Sequence, residues 1–137
     1  MDEVKRVNDA WTDIYYYMHM THKESISHQA IRILQHLEKK GNLTIGDISK
    51  YMEISHNTAS EHVKRLIHKG YVNKKRDNND ERRVYVFLSK LGLDIIHKHS
   101  RLDEEKLTAI FSSISPEQLQ VIDQAFTILR EEAAKCT

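Results

Sequence analysis

Residues 44–88, TIGDISKYMEISHNTASEHVKRLIHKGYVNKKRDNNDERRVYVFL, constrain the chain more than any other stretch. Thr44, followed three positions on by Asp47, is a capping pair that opens a short helix burying Ile45, Ile48 and Met52. Ser55 is an N-cap for the next helix, which turns Ala59, Val63, Leu66 and Ile67 inward and stops at Gly70. Asn57, Glu61, Lys64, Arg65 and His68 fall on its opposite face. Val72 begins a strand, and in a second strand Val84, Val86 and Leu88 alternate with Tyr85 and Phe87. The intervening RDNNDERR holds no apolar residue and carries a run of turn-forming Asp and Asn.

Helix, turn, helix and hairpin in this order predict a winged helix-turn-helix, a layout that serves chiefly to set one helix in a DNA groove. Charge supports that reading. The whole chain of 137 residues is only +1, but residues 56–90 hold nine Lys/Arg against four Asp/Glu, a net of +5. Residues 1–55 sum to −1 and residues 91–137 to −3, so the basic charge is concentrated where phosphates would be met.

The flanks carry apolar seams of their own. A first helix is expected over about residues 3–21, with Val4, Val7, Trp11, Ile14 and Met18 spaced by three and four. Ser27 caps a second helix that buries Ala30, Ile33, Leu34 and Leu37 and ends at Gly41. After the hairpin, Ser89 starts a long fifth helix to about Ser112. Ser115-Pro116-Glu117-Gln118 starts a sixth, in which Leu119, Ile122, Phe126, Leu129 and Ala133 recur at helical spacing. A helix with such a stripe must bury it. Val4, Val7, Trp11, Ile14, Leu119, Ile122, Phe126 and Leu129 are therefore assigned to dimerisation, with Tyr15, Tyr16 and Tyr17 at the edge. The expected fold is mainly α with a small β-hairpin wing: residues 27–88 form the winged helix-turn-helix, and residues 1–26 with 89–137 form a helical dimerisation region, all in one intertwined domain.

Composition excludes several classes. No apolar run approaches the roughly 18 residues of a membrane span. The acidic start MDEVKRVNDAW is unlike a signal peptide, and a single Cys at position 136 suits a reducing cytoplasm. Nothing resembles a phosphate loop, a nucleophile elbow or a clustered metal motif, so neither an enzyme nor a cofactor is expected.

The stretch ISHNTASEHVKRLIHKGYVNKKRDNNDERRVYVFLSKLG resembles the multiple antibiotic resistance regulator (MarR) family, in its recognition helix, its Lys-Gly-Tyr-Val entry to the hairpin, its Asp80-Glu81-Arg82 wing signature and the Leu88-Ser89-x-x-Gly92 that follows. The resemblance covers nearly the full length. It implies a homodimeric transcription regulator, usually a repressor, whose DNA affinity often responds to a small-molecule effector or to oxidation. The wing departs from the family pattern: Asn78 stands for a Pro and Glu81 for an Arg.

The expected DNA-binding residues follow. Asn57 suits bidentate adenine reading, Ser55, His56, Thr58 and Ser60 contact bases or phosphate, and Lys64 and Arg65 hold the backbone. Lys75, Arg76, Asn78, Asn79, Asp80, Arg82 and Arg83 form the wing, with Arg82 in the minor groove braced by Asp80. Glu61 either accepts from cytosine N4 or pairs with Lys64 or Arg65. Metal binding is not expected, but His19, His22, His28, His97 and His99 are the candidates if it occurs, with His19 and His22 on one helix face.

Overall fold

A computed structural model describes residues 1–22 and 24–136. The chain forms two compact units, residues 20–101 and residues 1–19 with 102–137.

In the first of these units, α2 (His28–Lys40), α3 (Ile45–Met52), α4 (His56–His68), β1 (Val72–Arg76), β2 (Val84–Leu88) and α5 (Lys90–Ser100) enclose one core. Ile33, Leu34, Ile48, Val63, Val72, Val86 and Ile96 are fully buried at its centre. The starts of these helices are set locally. Ser27 accepts from the Ala30 N–H, Ser55 from the Thr58 N–H and Ser89 from the Gly92 N–H. Thr44 and Asp47 close a reciprocal capping box, and the Thr44 N–H holds the Asp47 carboxyl below the usual carboxylate range. The turn between α3 and α4 places Glu53 at φ +55, and Ser49 clamps it by donating to the Ile54 carbonyl at 2.6 Å.

The hairpin pairs Val72 with Leu88 and Arg76 with Val84, and Leu43 extends it by bonding to Val86 in both directions. Gly70, at φ +80, releases the chain from α4 into β1. Ser89 donates to the Gly70 carbonyl at 2.6 Å, and Gly92 packs so tightly that a Cβ there would run into the Tyr71 carbonyl. These contacts fix α5 to the base of the wing. Although grouped with the C-terminal helices on its sequence, α5 supplies Ile95 and Ile96 to the core of this unit.

The second unit contains α1 (Asp2–Met18), α6 (Glu104–Ser113) and α7 (Pro116–Ala134). Two boundaries differ from the sequence expectation. The first helix ends at Met18 because the His19 ring bonds the Tyr15 and Tyr16 carbonyls and the backbone at His19 turns extended. The long fifth helix is two helices. At Arg101 the chain turns extended, Leu102 bridges to His19, and Asp103 caps α6 by accepting from the Glu105 and Lys106 N–H groups. Ser115 and Gln118 make the expected capping box with Pro116 at the start of α7. Ile14, Met18, Leu107, Ile110, Phe111, Leu119, Ile122 and Phe126 line an apolar cavity of about 740 Å³ in this unit. No helix among the described residues is long and apolar enough to cross a membrane.

Candidate nucleic-acid interface

The outward face of α4 is polar throughout. His56, Asn57, Thr58, Glu61, Lys64, Arg65 and His68 are exposed, while Ala59, Val63 and Leu66 anchor the opposite face. Ser60 sits half-buried on the flank. The cap shapes what the first turn can present. Ser55 Oγ donates to Thr58 Oγ1 at 2.8 Å while accepting from the Thr58 N–H, so Ser55 is spent on the cap. The Thr58 hydroxyl keeps its hydrogen to donate outward.

Further along, Glu61 pairs with Lys64 at 3.7 Å, one of the two roles its sequence position allowed. Arg65 bonds the His62 ring at 3.2 Å. Burial and the nearby Arg65 charge hold His62 below the usual histidine value, which keeps that ring neutral as an acceptor.

The wing tip is folded by its own side chains. Asp77 accepts from the Asn79 N–H, Asp80 accepts from the Arg82 N–H, and the Arg83 N–H reaches the Asp80 carbonyl. Arg76 donates to the Glu81 carbonyl at 2.7 Å, so it braces the loop. The expected Asp80–Arg82 pair is present, with Arg82 Nε 3.4 Å from Asp80 Oδ1. The Arg82 side chain is 94% exposed at the tip of the wing.

Between wing and helices lies a groove of about 620 Å³. Thr44, Ile45 and Gly46 from the start of α3, His56 from the start of α4, and Lys74, Lys75, Arg76, Arg82 and Arg83 from the hairpin all line it. Two helix starts and five cations thus face one concavity, an arrangement suited to anionic oxygens. Lys74 and the start of α3 were not singled out from sequence. Lys74 lies two residues from buried Val72, so strand alternation assigns it to the core face; β1 runs beyond the core after Val72.

Residues 26–84, which contain the helix-turn-helix and most of the wing, match the model of the MarR family. The family is one of transcription regulators, with a winged-helix DNA-binding fold. The uncharacterized HTH-type transcriptional regulator YwhA of Bacillus subtilis (strain 168) is 26% identical over 86 residues, which cover 63% of this chain and 62% of that protein, short of two thirds of its length. YsmB of the same organism is 27% identical over 99 residues, covering 72% of this chain and 68% of that protein. The fold matches that of Streptococcus pneumoniae FabT, solved in complex with DNA, with TM-score 0.63 at 22% identity over 98% of this chain and 99% of the other.

The histidines separate into different settings. His19 and His22 do not share a helix face, because both lie beyond the end of α1. His19 stacks on Tyr15, His28 opens α2 exposed, and His97 bonds Glu38 at 2.8 Å. His22 and His99 come together, with ring centroids 3.6 Å apart.

Proposed function

We propose that the protein is a sequence-specific regulator of transcription that binds double-stranded DNA as a homodimer, most simply as a repressor of a pseudo-palindromic operator. The observation that carries this is the basic groove between wing and recognition helix, flanked by the polar face of α4. In this reading Asn57 and His56 address base edges, and Thr58 and Ser60 supply hydroxyl donors. Ser55 acts through the cap, and Lys64 and Arg65 hold the backbone. Lys75, Arg83 and the added Lys74 neutralise phosphates lining the groove, and Arg82 enters the minor groove. Arg76, Asn78, Asn79 and Asp80 shape the loop that carries Arg82.

Dimerisation is supported by apolar surface that the chain leaves open. Val4, Val7 and Trp11 on α1 and Phe126, Ile128 and Leu129 on α7 are all exposed. Ile14, Leu119 and Ile122 sit half-buried along the same helices. A second copy is the occupant that satisfies such seams on both termini and supplies a second reading helix. The apolar cavity of the second unit suits a hydrophobic effector, whose binding would weaken the grip on DNA. The cytoplasmic location expected from the lone Cys belongs to the same proposal.

Salt dependence tests the DNA reading. Affinity for duplex DNA should fall steeply with salt, with a log–log slope of about −0.9 for each phosphate neutralised. Affinity independent of salt would instead indicate a winged helix that docks on a protein.

A further inference from the structure

Among the described residues, one trio of potential metal ligands converges: His22, Glu24 and His99, whose ligand atoms all lie within 4.8 Å of one another. Two, His22 and Glu24, lie between α1 and α2 and outside any helix or strand, and the third is at the end of α5. We propose that these three side chains form a binding site for a zinc-type divalent cation, independent of the DNA-binding surface.

The donor set is two imidazole nitrogens and one carboxylate oxygen, which suits borderline divalent metals rather than calcium or magnesium. Zinc bonds of 2.0–2.2 Å in tetrahedral geometry put ligand atoms roughly 3.4 Å apart. The trio must therefore close by up to about 1.4 Å, a movement available to the exposed His22 side chain. Three protein ligands leave a fourth position for water.

The surroundings prepare the ligands. The His22 and His99 rings stand 3.6 Å apart at 42°, so charging both would set like charges against each other. Lys98 opposes the site: its ammonium lies 3.3 Å from Glu24 Oε1 and must give way when a metal takes that oxygen. A bound cation would tie His22 and Glu24 to the end of α5.

The test is zinc titration of the full chain against a chromophoric chelator, alongside His99→Gln, Glu24→Gln, His22→Gln and Lys98→Gln. One equivalent per chain should bind with Kd below about 1 μM, and each ligand variant should weaken it by at least tenfold. Lys98→Gln should tighten it, an effect that damage to the fold would not produce. Glu24→Gln lies outside any helix and checks the result if His99→Gln folds poorly. Binding no tighter than about 10 μM would overturn the site, as would unchanged affinity in the three ligand variants, which would place the metal on other histidines.

Discussion

Replacing Arg82 with Ala isolates the wing from the rest of the interface. Arg82 is 94% exposed, and its bond to Asp80, at 3.4 Å, is a surface pair that contributes at most about 1 kcal/mol. The loop itself is held by the Asp77, Asp80 and Arg76 hydrogen bonds, which the substitution leaves in place. Folding and dimerisation should therefore be unchanged. If each wing places one guanidinium in the minor groove, the dimer loses two cationic contacts. Operator affinity should fall at least tenfold, about 1.4 kcal/mol, and the salt slope should become shallower by about 1.8. Fluorescence anisotropy with a labelled duplex at four or five salt concentrations reads both. Unchanged affinity with an unchanged slope would remove the wing from the mechanism. A loss of affinity with the slope preserved would mean that Arg82 acts on the loop and not on DNA.

Other perturbations probe other parts of the account. Leu34→Ala, at a fully buried position, should cost about 3 kcal/mol in urea unfolding; a loss below 1 kcal/mol would mean the core is looser than its packing shows. Gly92→Ala should lower the melting temperature clearly, since its methyl meets the Tyr71 carbonyl, and an unshifted melt would contradict that close approach. Burial lowers His36, stacked 3.7 Å from Tyr51, and His62 below the usual 6.5, so the unfolded chain binds more protons. The urea midpoint should accordingly fall as pH drops below about 6.5, and His36→Gln should reduce the fall; a midpoint that rises on acidification would refute the sign. Trp11→Ala combined with Leu129→Ala should shift the sedimentation equilibrium toward monomer, whereas an unchanged distribution would move the dimer interface elsewhere.

The parts legible in the sequence are those settled within a few residues. Ser27, Thr44 with Asp47, Ser55, Ser89 and Ser115 each mark a helix start because a cap needs only its own first turn. The buried faces of α2 and α4 follow from spacing for the same reason. The break at Arg101 rests in part on a partner far away in the chain, the pairing of Leu102 with His19, beside the local cap that Asp103 gives α6. Arg76 reads as a DNA contact by charge, yet its bond to the Glu81 carbonyl depends on how the loop closes. The meeting of His22, Glu24 and His99 is tertiary, since α5 must first pack on α2 to bring its end to His22 and Glu24.

The central claim is that two copies of this chain read DNA through a two-fold axis. Selecting random duplexes with the purified full chain, then measuring protein-to-duplex stoichiometry on the winning sequence, tests it most directly. Two chains per duplex on a pseudo-palindrome, with half-sites about 10–10.5 bp apart or a multiple of that, is the result the account predicts. A selected pool without a shared motif, or one chain bound to a lone half-site, would contradict it.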